Sequence, residues 1–150
     1  MKTISFTLFL VLGAISLNGY ADVETAKVFA RKYAAIAKTI NPDFKGCQPD
    51  IGRQFFIRKL LVKGKEISCS SCHTDNPANT GENIKTHKKI APLSPVVNKD
   101  RFSDLEKTEE KFTEHCNDIR AKDCTAQEKC DYIAYLLTVG FDSVGKEQGK

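Results

Sequence analysis

Cys69 and Cys72 stand three positions apart and His73 follows at once, in the run Cys69-Ser70-Ser71-Cys72-His73. In an exported chain, thiols and imidazole in this order form the attachment site of a c-type haem. The two thiols add across the haem vinyl groups, and the histidine coordinates the iron from one side. His73 would bind through Nε2, leaving Nδ1–H to a carbonyl that fixes the ring. Two other chemistries use a Cys-x-x-Cys pair. A zinc site would want a second Cys/His pair at similar spacing, which the sequence lacks, and a thioredoxin-type redox pair would want a βαβ setting.

Met1 to Ala21 reads as a secretory leader. Lys2 gives the positive start, Ile4 to Leu17 the apolar stretch, and Gly19-Tyr20-Ala21 a small-x-small cleavage site. The apolar run is shorter than the roughly 20 residues of a membrane-spanning helix. The expected product is periplasmic or secreted, without a membrane anchor after cleavage. Losing Lys2 takes the formal charge from +4 to about +3, with no basic run, so nucleic acid is not an expected partner.

The rest of the 150 residues reads as one helical domain. Ala26, Phe29, Ala30, Tyr33, Ile36, Ala37 and Ile40 have the spacing of an amphipathic helix over 22–40, within an N-terminal segment 22–46. A second helix runs from about Pro49 to Leu61, with Ile51, Gly52, Phe55 and Phe56 along one side and Gly64 as its end. The polar stretch 74–100, broken by three prolines, reads as a long loop that could wrap a haem edge. Ser103-Asp104-Leu105-Glu106 reads as a capping box for a short helix through Glu114, with Leu105 and Phe112 inward. Thr125-Ala126-Gln127-Glu128 opens a last helix burying Cys130, Ile133, Ala134 and Leu137, stopped by Gly140. No strand pattern stands out. The main domain is 47–140, and 141–150 reads as a frayed tail.

The iron's opposite face is read by elimination. Met1 is the only methionine, so methionine ligation is not expected. His87 precedes the segment expected on the His73 side and reads as a solvated loop residue. His115 comes well after the haem motif and before the last helix, where a distal ligand belongs. Cys116 and Cys124, directly after it, bracket Asn117 to Asp123, a loop that a disulfide would close tightly, pinning His115 against the haem. Asn117 as ligand, or an empty position, are the alternatives. Cys47 and Cys130 are read as a second staple, with free thiols or a bond to another chain as alternatives. Arg101 and Lys88 are candidates for the haem propionates.

Ile90-Ala91-Pro92-Leu93 resembles the Gly-Pro-x-Leu segment of small c-type cytochromes, which implies that the Pro92 carbonyl takes the His73 Nδ1–H. Gly52, Phe55 and Phe56 with Tyr132 and Tyr135 resemble the glycine and aromatic contact where first and last helices cross in that fold. Further matches are Arg53, Ser68 to His73, Ala91-Pro92-Leu93-Ser94-Pro95, Asp100-Arg101-Phe102, Cys116-Asn117, Asp123-Cys124-Thr125 and Glu128-Lys129. Together these resemble the SHP-type (sphaeroides haem protein) oxygen-binding monohaem cytochromes c, over Gly52 to about Leu137. The resemblance implies an all-α, class I-like cytochrome c fold. About five helices would surround one covalently attached haem c, with an extra N-terminal helix and a disulfide beside the haem. It also implies a distal ligand, typically asparagine, that leaves on reduction. This chain departs there: the residue before the first bridge cysteine is His115.

The expected function is single-electron transfer with His73 and His115 as axial ligands, at a lower potential than a His/Met pair gives. The alternative is a protein that binds oxygen or nitric oxide, or reduces a small molecule, when His115 swings away in the ferrous state. Redox activity of the Cys116–Cys124 pair is a third idea, resting on proximity alone. No acid/base or nucleophilic arrangement stands out, which favours a carrier over an enzyme. Its expected partner is another redox protein, in particular another cytochrome, with a small gaseous ligand under the alternative.

Overall fold

A computed structural model describes residues 21–141. The expected leader therefore lies outside the described residues, apart from Ala21, as does the tail after Phe141. Five helices and two short hairpins make up the described residues.

The first helix, α1, spans Ala21–Ile40. Its apolar spacing turns one stripe inward, and Ala26, Phe29, Ala30, Tyr33 and Ala37 are buried. Ile36, at the edge of that stripe, and Ile40, at the helix end, are exposed. The second, α2, spans Pro49–Ile57 with Pro49 in its first turn, where a missing N–H costs nothing. Its start is capped from a distance: the Gln48 N–H donates to Asp131 Oδ1 at 2.6 Å. Asp131 belongs to the last helix, α5, Ala126–Leu136, whose capping box of Thr125 and Glu128 forms as the sequence predicts.

At the crossing of α2 and α5 backbone packs directly on backbone. A Cβ on Gly52 would stand 2.0 Å from the Asp131 carbonyl oxygen, so only glycine lets the two backbones meet. Phe56, Ile133 and Leu136 are fully buried around it, and Phe55 and Phe56 meet Tyr132 and Tyr135 at ring separations of 5.7 to 6.4 Å. A disulfide joins Cys47, just before α2, to Cys130 on α5. On α5 the fully packed positions are Cys130, Asp131, Ile133 and Leu136, whereas Ala134 and Leu137, expected inside, are only partly covered.

Between α2 and the last helices the structure departs from the expected run of helix and loop. The second helix ends at Ile57, not Leu61, because Leu60–Val62 (β1) pairs antiparallel with Lys65–Ile67 (β2). Lys63 and Gly64 between them both take positive φ, +50° and +78°, the geometry of a two-residue hairpin turn. Gly64 therefore turns a hairpin rather than ending a helix. The long loop is likewise pinched by a second hairpin of Gly81–Glu82 (β3) and Lys89–Ile90 (β4). The haem motif sits between the hairpins on a single turn, α3, Ser70–His73.

The remaining helix, α4, spans Leu105–Arg120 and runs six residues past the expected end at Glu114. Asp104, not Ser103, is its N-cap, accepting from the Lys107 N–H at 3.1 Å. Ser103 instead donates to the Asp100 carbonyl. At the other end Ala121 takes φ +54° and its N–H returns to the Asn117 carbonyl, a left-handed stop without glycine. This helix is largely polar. Thr108 and Cys116 are its buried residues, and Leu105, expected inside, is 40% exposed.

Candidate haem site

The haem motif is held by its own serines. The Ser68 N–H donates to Ser71 Oγ at 3.0 Å, and the Ser68 hydroxyl lies 2.9 and 3.2 Å from those of Ser70 and Ser71. The His73 N–H returns to the Cys69 carbonyl, closing the turn that turns cysteines and histidine together. Behind it, Gly81 lies so close that a Cβ would meet the Cys72 carbonyl oxygen at 2.2 Å. Sequence reasoning missed both supports, although three serines packed around two cysteines were a visible signal.

Cys69, Cys72 and His73 line one cavity of about 630 Å³, together with Pro92, Arg101 and His115. Residues scattered over nearly 50 positions of sequence thus face a common space of the size that ligand sites occupy. Burial pushes the Cys69 thiol up to about 11, so it is a neutral thiol and not a reactive thiolate. Burial, with help from Arg101 and His115, pulls His73 down to about 4. Its imidazole is therefore neutral, the form whose nitrogen lone pair can bind a metal.

His115 is oriented by its own helix. Nδ1 lies 2.8 Å from the Lys111 carbonyl, which can only accept, so Nδ1 carries a proton and Nε2 is the ring nitrogen left to face a ligand. The disulfide between Cys116 and Cys124 forms directly behind it. The span it closes is not the expected loop, since Asn117 to Arg120 is still helix.

Arg101 Nε is buried at the cavity with no hydrogen-bond partner in the protein. A buried donor left open costs stability unless a ligand satisfies it, and a haem carboxylate is the complementary group. With two free thiols, a neutral imidazole and this open donor around one cavity, the residues present fit a covalently attached haem.

Other expected residues fall elsewhere. The Pro92 carbonyl, which stays at the cavity, accepts from Asn98 Nδ2 at 2.6 Å, a donor that the sequence reading did not foresee. Asn98 reaches it because its N–H bonds the Ser94 carbonyl, folding the chain back after Pro95. Lys88 is exposed and does not line the cavity, since the β3–β4 hairpin carries it outward. His87 also points away, with Nδ1 3.1 Å from Glu82 on that hairpin. Asn117 is engaged with Asp123 and the Thr113 carbonyl and does not line the cavity. An unforeseen member is Arg120, paired with Glu128 at 2.7 Å and only 10% exposed at the cavity wall. The absence of glycine or proline between Leu105 and Asp123 could have revealed it, by extending α4 that far.

Comparison with known proteins agrees with this cavity. A family model described as a domain of unknown function, DUF1924, matches residues 42–136. Cytochrome c'' of Methylophilus methylotrophus is 48% identical over 134 residues, covering 88% of this chain and 93% of that protein. The cytochrome c-type protein SHP of Cereibacter sphaeroides is 39% identical over 134 residues, 87% of this chain and 97% of its own. The crystal structure of oxidized cytochrome c'' superposes with a TM-score of 0.76 at 49% identity, over 79% of this chain and 98% of that one. The structure of oxidized SHP, an oxygen-binding cytochrome c, gives 0.66 at 30% identity, over 75% and 96%. The chain belongs to the DUF1924 family, has cytochrome c'' and SHP as relatives, and is an SHP-type, all-α cytochrome c carrying covalently bound haem c.

Proposed function

We propose that this protein is an exported single-electron carrier whose haem iron is held between His73 and His115. The observation that carries the reading is the hydrogen bond from His115 Nδ1–H to the Lys111 carbonyl, which leaves Nε2 free on a ring lining the same cavity as His73. The haem supplies a one-electron couple. The protein's part is to present two imidazoles, a pair that suits both oxidation states with little rearrangement, and to set a lower potential than a methionine would. Export accords with the two disulfides, which persist in oxidising compartments, and with the leader-like start of the sequence. The partner in this reading is another redox protein, in particular another cytochrome.

A second reading has a specific observation behind it. His115 is exposed on a helix that buries only Thr108 and Cys116, so the ligand sits on a sparsely packed helix. The solution structure of the Methylophilus methylotrophus cytochrome c'', 50% identical to this chain with a TM-score of 0.72, is described for its insight into haem-ligand detachment. SHP is described as oxygen-binding. By analogy, His115 would leave on reduction and open the iron to a small molecule.

Adding carbon monoxide to the reduced protein separates the two. The carrier reading expects the ferrous spectrum to stay unchanged. Fast stoichiometric binding would end it and leave the ligand-releasing reading standing.

A further inference from the structure

Glu109 lies six residues before His115 on α4 and ties that helix to two others. Its Oε1 pairs with Lys32 of α1 at 3.1 Å and its Oε2 with Lys129 of α5 at 2.8 Å. The Lys129 side chain is 14% exposed, so this arm is partly withdrawn from water and is worth more than a surface ion pair. Its ammonium also lies 5.3 Å from the ring centres of both Tyr33 and Phe112. Phe112, one turn on from Glu109, meets Tyr33 and Tyr132 edge-on at 5.9 and 5.7 Å. Burial acts to raise the Glu109 carboxyl, but Lys129, Tyr33 and Lys32 outweigh it and hold the group below its ordinary range, hence ionised at neutral pH.

The other attachments of α4 lie beyond His115. The Cys116–Cys124 bridge spans only 8 positions of sequence, so it fixes the end of the helix locally. Arg120 pairs with Glu128 at the start of α5. His115 therefore sits between an ionic knot on one side and a staple on the other. Thr108 and Cys116 are the buried residues of α4 and Phe112 packs against the core partly covered, so the apolar hold on the helix is thin.

We infer that Glu109 is a positioning residue: its bridge between Lys32 and Lys129 sets how firmly α4 holds His115 at the haem. The inference rests on the reading of His115 as the distal ligand. Loosening the bridge should make His115 give way more often to an external ligand while the haem stays attached.

The test is cyanide binding to the oxidised holoprotein, followed by stopped-flow absorption. At high cyanide the rate saturates at the rate of His115 release. Glu109→Gln should raise that limit roughly fivefold or more, the scale of one lost charge-assisted tie. Lys32→Gln removes only the more exposed arm and should raise it less, which keeps the test open if Glu109→Gln folds poorly. Glu24→Gln breaks an exposed pair with Lys27 inside α1 and should leave it unchanged. Limits equal to wild type in Glu109→Gln and Lys32→Gln would overturn the inference. His115→Ala separates the failures. If its cyanide binding is fast and unsaturated while Glu109→Gln matches wild type, the ligand reading stands and the tether falls. If His115→Ala saturates at the wild-type limit, His115 is not the group displaced and both fall.

Discussion

The α2–α5 crossing and α4 both line the haem cavity, yet they are held in place by different forces. At the crossing, backbone touches backbone over Gly52, and Phe56, Ile133 and Leu136 are fully buried beside it. On α4, which carries His115, the ties are an ionic knot, ring edges, the Arg120–Glu128 pair and a short local disulfide. Close packing is all-or-none, because a core has few alternative arrangements of comparable energy. Charge pairs with partial exposure are soft by comparison. Damage to the crossing should therefore appear in stability and damage to α4 in the state of the iron.

The largest expected effect is on the long staple. Replacing Cys47 and Cys130 together by serine opens a span of 83 positions and should lower stability by about 4.5 kcal/mol in chemical denaturation of the holoprotein. The haem spectrum of the folded fraction should not change. The same exchange at Cys116 and Cys124, 8 positions apart, should cost about 2.5 kcal/mol but also raise the cyanide limit. Equal spectral effects from the two pairs would erase the distinction.

Next comes Gly52→Ala. Its Cβ would meet the Asp131 carbonyl carbon at 2.5 Å as well as its oxygen, so α2 and α5 must separate, at a cost of about 3 kcal/mol. A fall of the thermal midpoint without a change in the iron's spin state is the expected pattern; a variant as stable as wild type would show that the crossing is looser than it stands here.

The smallest effect is at Asp131, whose carboxyl burial raises above its ordinary value although the Gln48 N–H and Gln127 draw it back in part. A raised carboxyl favours the folded state while protonated, so its contribution is full below the unfolded value and is lost as pH rises through the folded one. Asp131→Asn keeps an acceptor oxygen for Gln48 and removes that dependence. Between mildly acid and neutral pH the variant should lose less stability than wild type. A steeper loss in the variant would mean that the ionised carboxylate is the better cap.

How much of this the sequence carries depends on the kind of force involved. The spacing of Ala26, Phe29, Ala30, Tyr33 and Ala37 announces α1, and the pair Thr125 and Glu128 announces α5, because periodic burial and capping are local. The motif from Cys69 to His73 is equally local. The full length of α4 is not legible in the same way: past Phe112 only Cys116 and Ile119 continue its apolar stripe, and much of what holds it comes from Lys32 and Lys129, far off in sequence. The two hairpins escape for a related reason. Strands of two or three residues show no alternation, and only the Lys63-Gly64 turn hints at one of them. The buried carboxylate of Asp131 and the Asn98 hold on Pro92 depend on chain returns that only the folded structure supplies.

His115 lies at the centre of the comparison, as the residue that the softer element brings to the cavity shared with His73. The most direct test is the absorption and EPR spectrum of the purified ferric protein, wild type against His115→Ala. Two imidazole ligands predict a low-spin signal in the wild type that becomes high-spin in the variant. A spectrum that His115→Ala leaves unchanged would contradict the account.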